Sequence, residues 1–167
     1  MSLDFNNPHC KTQSNKKMFG LCDDPPPNRE PAYIDEVDGS KWIAVVGNDK
    51  LYPVDFIGID NCIEITREDG LMEKRCDGLL KFETTAIFVE LKQRRGTGID
   101  WVKEAENQLK TTITYFEKTA DALKFPIKKA YICNSEHPKF RNSQARRMDQ
   151  FLDDTGYVLR IENRIEL

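Results

Sequence analysis

No apolar run in the chain approaches the roughly 18 residues that a membrane-spanning helix requires, and a mean hydropathy of -0.62 accords with a soluble protein. A membrane partner is not expected. The first residues, Met1-Ser-Leu-Asp-Phe5, lack a charged segment followed by an apolar one, so no secretory signal is read there and a cytoplasmic location is expected. The five cysteines, at 10, 22, 62, 76 and 133, form no CxxC pair and are odd in number. Reduced thiols are the simple expectation for that compartment. A zinc set drawing on His9, Cys10 and Cys22 would lack a fourth ligand and matches no common ligand spacing. No internal repeat is present, and nine Gly and eight Pro do not make a collagen or a low-complexity chain.

A strong net charge is also missing: 25 basic against 28 acidic residues leave -3. Taken alone this argues against nucleic acid, but attraction to phosphate depends on where positive charge lies rather than on its total. Residues 1–38 carry seven acids and four bases, whereas 124–147 carry seven bases against Glu136 alone. The slightly acidic total conceals a basic stretch.

What is present suffices for one core. The chain has 167 residues, 39% hydrophobic and 32% charged, and domains usually hold about 100–150. Asn6-Asn7-Pro8 and Pro25-Pro26-Pro27 resist helix and central strand, so residues 1–38 are expected as an extended or partly disordered lead packed on a single α/β domain over 39–167. Strands are predicted at 42–46, 51–59 (Pro53 suiting an edge), 62–66, 74–82, 86–92, 130–133 and 157–161. The 86–92 run is apolar on both faces at its start, which marks a central strand covered on both sides. After Gly96-Thr-Gly98, Asp100 is a plausible N-cap for a helix whose stripe Trp101, Ala105, Leu109, Ile113 and Phe116 is core. A second helix is predicted over 144–153. The order describes an α/β fold around a central mixed β-sheet flanked by helices.

Glu90 and Lys92 stand two apart on the central strand, so they share a face. Charge is expensive to bury, so both should emerge into a polar site. Asp77 on the preceding strand joins them if the hairpin loop is even. A two-residue loop, Glu83-Thr84, sets Asp77 opposite Glu90; a four-residue loop sets it opposite Lys92; a three-residue loop sends it to the other face. Two carboxylates beside a lysine suit a hard divalent cation such as Mg²⁺ or Mn²⁺, with the ammonium orienting water or neutralising developing charge. The same residues also make an ordinary strand-end salt bridge.

Asp77, followed after twelve residues by Glu90-Leu91-Lys92 at the end of an apolar strand and then by a helix, resembles the PD-(D/E)xK nuclease superfamily, whose core is restriction-endonuclease-like. The resemblance spans roughly residues 62–134. It implies a Mg²⁺-dependent endonuclease in which Asp77, Glu90 and the Leu91 carbonyl hold the metal and Lys92 assists the attacking water. It also implies a supporting role for Gln108, at the edge of the helix stripe; where that family often has a tyrosine one turn later, this chain has Thr112. Cys76 replaces the motif's proline, and the helix that often supplies another acid is not evident, leaving Glu64 or Glu36 as substitutes.

Arg94, Arg95, Lys139, Arg141, Arg146 and Arg147 are the expected phosphate contacts, since each such contact releases counterions and adds sequence-independent affinity. His137 and Phe140 lie in the same basic loop. DNA is the expected partner and RNA an alternative, with a homodimer if two strands are to be cut. The competing reading is a non-catalytic binding module on the same fold, its acids and lysine locked in an ion-pair network.

Overall fold

All eight residues of one strand, Thr85–Lys92, are buried, and the molecule is layered around it. The structure, a computed structural model, describes residues 3–93, 100–136 and 144–167. In chain order these form β1 (Lys11–Ser14), β2 (Met18–Cys22), β3 (Tyr33–Asp35), β4 (Ala44–Gly47), β5 (Val54–Gly58), β6 (Gly78–Phe82), β7 (Thr85–Lys92), α1 (Asp100–Phe116), β8 (Ile127–Asn134), α2 (Ala145–Thr155), β9 (Val158–Ile161) and β10 (Arg164–Glu166). The fold is mixed α/β, with two mixed sheets and two helices. A six-stranded sheet runs β1-β5-β6-β7-β8-β9 and a four-stranded sheet β10-β4-β2-β3. In the larger sheet β5, β6 and β7 are antiparallel neighbours, while β7, β8 and β9 run parallel.

Alternation along β7 explains its complete burial. Ala86 and Phe88 face the helices, in a cluster with Leu79, Trp101, Leu109, Ile113 and Phe116. Ile87, Val89 and Leu91 face the smaller sheet, against Phe19, Leu21 and Val46, with Phe56 of β5 in the same cluster. Each fully buried side chain of this size contributes about 1.5–3 kcal/mol, so a doubly covered strand is the most firmly held element. The five stripe residues of α1 are all buried, as their spacing predicts. Helix α2 ends at Gly156, whose φ of 79° is the left-handed conformation glycine adopts readily.

The fold departs from the sequence expectations in four places. Residues 1–38 are not an appended arm: β1 pairs with β5, and β2 and β3 belong to the smaller sheet. Phe5, Phe19 and Leu21 are buried there, which repays the ordering of a segment whose prolines fall between strands. Residues 62–66 do not form a strand, because Ile59 O accepts from the N–H groups of Cys62 and Ile63 and closes a turn. Ile63 and Ile65 reach the core without a ladder. Strand β5 is internal, between β1 and β6, and Pro53 precedes it, so its missing donor interrupts no pairing. Finally, Cys10 and Cys62 form a disulfide instead of free thiols, and Cys22, Cys76 and Cys133 are buried and free. With Cys10 oxidised and Cys22 inside the core, the zinc set of His9, Cys10 and Cys22 is excluded.

Candidate active site

The β6–β7 hairpin decides the site. Phe82 pairs with Thr85 and Gly78 with Val89, so the two-residue loop is the one adopted, and Glu83 takes a positive φ of 48° within it. That register brings Asp77 against Glu90. The Asp77 N–H donates to Glu90 Oε1 at 3.1 Å, and the Leu91 N–H donates to Asp77 Oδ2 at 2.7 Å. Gly78, next to Asp77, leaves room for Phe56 of the adjacent β5, since a Cβ there would lie 2.1 Å from Phe56 Cζ.

Lys92 follows on the same face. Its Nζ lies 3.0 Å from Glu90 Oε2 and donates to Gln108 Oε1 at 3.2 Å, while Glu104, one turn earlier on α1, stands 3.6 Å away. Gln108 Nε2 donates to the Arg75 carbonyl at 3.3 Å. One turn later, Thr112 Oγ1 accepts from the Cys76 N–H at 2.8 Å and donates to the Gln108 carbonyl. Helix α1 therefore braces both the lysine and the residue preceding Asp77. Asp77, Glu90, Lys92 and Gln108, chosen from sequence, meet at one place.

Burial governs the charge of this group. Asp77, Glu90 and Lys92 are 7%, 1% and 9% exposed. Loss of hydration, then the Glu90 charge and a hydrogen bond to it, holds the Asp77 carboxyl well above the usual carboxylate range, against the Leu91 amide. Burial also raises Glu90, outweighing the Lys92 charge and the bonds from Asp77. The pair retains a proton at pH values where surface carboxylates have lost theirs.

Glu104, Asp23, Asp60 and Arg75 of this site were not expected from the sequence. Asp23, directly after β2, is pushed up to about 7 by burial and by the charges of Asp77, Asp60 and Asp24. Asp60, just beyond β5, pairs at 3.1 Å with Arg75, whose Nη1 also donates to the Ile63 carbonyl at 2.8 Å. The further acid is thus offered by Asp23 and Asp60, since Glu64 is exposed and Glu36 accepts from Ser14 at 2.6 Å. A signal was present: Phe19-Gly-Leu-Cys-Asp23 and Phe56-Ile-Gly-Ile-Asp60 each end an apolar run in an acid, as does the run into Glu90.

The basic stretch is divided by the fold. Lys128 and Lys129 lie at the start of β8, beside Thr85, and Lys124 closes the 3₁₀ turn just before it, whereas Lys92 pairs with Asn134 at the other end, about 23 Å along the strand. Lys124 and Lys128 are also paired, with Asp121 at 3.3 Å and Glu117 at 2.7 Å. Arg147 binds Glu106 at 2.6 Å and Gln144 at 3.0 Å, tying α2 to α1, and Arg146 is exposed. Arg94, Arg95, His137, Lys139, Phe140 and Arg141 lie outside the described residues.

Among the described residues, no three His, Cys, Asp or Glu are arranged to hold a metal ion, and no helix is long and apolar enough to cross a membrane. Two mixed sheets with paired carboxylates, a lysine and a bracing glutamine at one strand end define the class of the molecule as a mixed α/β protein with an acidic site. Comparison with protein families, with curated proteins and with solved structures finds no match.

Proposed function

We propose that the chain is a metal-dependent nuclease of the PD-(D/E)xK type, with a restriction-endonuclease-like core, hydrolysing phosphodiesters in DNA. The observation that carries the reading is the meeting of Asp77, Glu90, Lys92 and Gln108 on one face through the Phe82–Thr85 register. The order β5, β6, β7, α1, β8, with a parallel β7–β8 pair, supports it.

The donor set fits a hard divalent cation. Burial raises both carboxylates even with Lys92 3.0 Å from Glu90, and a divalent cation would offset that cost in exchange for the proton they retain. Asp77 and Glu90 would hold the ion, with the Leu91 carbonyl as the family's third donor; when bound, it polarises the phosphate and acidifies water. Lys92 would orient the attacking water and offset charge developing on the phosphate. Gln108 holds the Lys92 ammonium, so the lysine need not reorganise during reaction. Arg94, Arg95, Lys139, Arg141 and Arg146 would track the backbone of DNA, and a homodimer would address both strands.

Incubation of plasmid DNA and of a matched RNA with Mg²⁺ or Mn²⁺ tests the reading. Asp77→Asn and Lys92→Ala should each reduce DNA cleavage about 100-fold or more. Cleavage that survives both substitutions removes the mechanism, and cleavage of RNA alone reassigns the substrate. The 3.0 Å Glu90–Lys92 pair favours one further reading, a binding module whose network is closed. It predicts no Mn²⁺ binding that depends on Asp77 and Glu90.

A further inference from the structure

We propose that Cys10 and Cys62 form a thiol–disulfide exchange site, through which small-molecule thiols loosen the loop that braces Lys92. The exchange stands on the disulfide alone; its effect on cleavage rests on the nuclease reading above.

The disulfide joins two segments 52 residues apart. Cys10 closes the short 3₁₀ turn Pro8–Cys10 that leads into β1. Cys62 lies two residues beyond Asp60, in the turn held by Ile59 O, and the Ile59 N–H donates to the Asp77 carbonyl at 2.8 Å. From this turn a continuous run of contacts reaches the site. Asp60 and the Ile63 carbonyl hold the Arg75 guanidinium, the Arg75 carbonyl holds Gln108, and Gln108 holds Lys92. Both side-chain holds on Arg75 flank Cys62, so the cross-link anchors the segment that positions the rest.

Access and selectivity follow from the surroundings. Cys10 is 3% exposed, but Cys62 is half-buried and lines a cleft of about 450 Å³ together with Asp4, Glu64 and Tyr115. A thiol therefore meets the Cys62 sulfur first. The other cysteines do not compete: burial pushes the Cys22 thiol up to about 11 and those of Cys76 and Cys133 well above their usual value.

The exchange balances. A thiolate attacks Cys62 Sγ, the S–S bond breaks, and its electron pair leaves on Cys10 Sγ, which takes up a proton. A second thiol attacks the mixed disulfide, releasing Cys62 as a thiol and a small-molecule disulfide. The protein gains two electrons and two protons from two thiols. Once freed, the 59–63 turn loses its tie to the entry of β1, and Arg75 and Gln108 lose a fixed support.

Glutathione is the probe, applied to the full chain, with alkylation and mass spectrometry before and after treatment. In the untreated chain, denaturation should expose three alkylatable cysteines, and treatment should add Cys10 and Cys62. Hydrogen exchange at residues 59–63 and 75–77 should then rise, and Mn²⁺-dependent DNA cleavage should fall about tenfold, with recovery in oxidised glutathione. Cys10→Ala/Cys62→Ala should sit at the reduced level whatever the thiol. Five alkylatable cysteines in the untreated chain, or unchanged exchange at 59–63 after reduction, overturns the site. Faster exchange with unchanged cleavage overturns the coupling to Lys92. A chain that cleaves in neither state refutes the nuclease reading, and hydrogen exchange then decides the redox site by itself.

Discussion

Asp23→Asn should stabilise the protein at alkaline pH and do little at acid pH. In the folded chain Asp23 is raised from 3.8 to about 7, first by burial and then by Asp77, Asp60 and Asp24. Between those values the native state keeps a proton that the unfolded chain releases, so stability falls as pH rises through the window and is level above it. Asparagine removes the titrating group and keeps the shape. The rise caps the penalty near 4 kcal/mol, and because Asp23 is partly open to solvent, screening lowers it to about 1–2 kcal/mol. For a chain of this size the gain corresponds to about 3–6 °C in Tm. Thermal unfolding followed by circular dichroism in EDTA, at pH 4.5 and pH 8.5, reads the difference. The offset should appear at the higher pH alone, and Mn²⁺ should raise the wild-type Tm more than the variant's. An equal offset at both pH values, or a variant less stable at pH 8.5, refutes the claim that these carboxylates repel across one site.

Gly78→Ala would drive a Cβ to 2.1 Å from Phe56 Cζ, and urea unfolding should show a loss of about 1–3 kcal/mol. Lys81, 7% exposed, donates to the Phe5 carbonyl at 3.2 Å and to Asn6, and faces Asp121 at 3.7 Å. Lys81→Met should therefore cost about 3–5 kcal/mol by stranding Asp121, and Lys81→Met/Asp121→Asn should recover part of it. Reducing the 52-residue Cys10–Cys62 link should lower unfolding stability by about 4 kcal/mol through loop entropy, visible as an earlier urea midpoint in dithiothreitol. Gln108→Leu removes the brace on Lys92, so kcat for DNA cleavage should fall about 10–100-fold, with KM little changed; a change confined to KM would place Gln108 in substrate binding instead.

Local patterns in the chain were sufficient for strands β4 to β9 and both helices. Period two along 86–92 and the stripe from Trp101 to Phe116 are fixed by burial on defined faces, and the structure keeps them. Asp77, Glu90 and Lys92 were legible for the same reason, because an even hairpin loop leaves three side chains on one face. Strands β1, β2, β3 and β10 were not legible. They are three to five residues long and form by pairing with partners remote in sequence, as β10 does with β4. Asp23 and Asp60 were missed because nothing in their own neighbourhoods states that the ends of β2 and β5 converge on β7.

Composition and period, acting over a few residues, determined the α/β class, the doubly covered central strand, the core face of α1 and the shared face of the acid–lysine pair. Tertiary structure alone chose the two-residue hairpin register and delivered Asp23 and Asp60 beside Asp77. It also joined Cys10 to Cys62 and separated the lysines of 124–129 from the site by the length of β8. Backbone preference and side-chain alternation are local, whereas the repulsion between carboxylates, a disulfide and the reach of a basic patch depend on distances that only the folded chain defines.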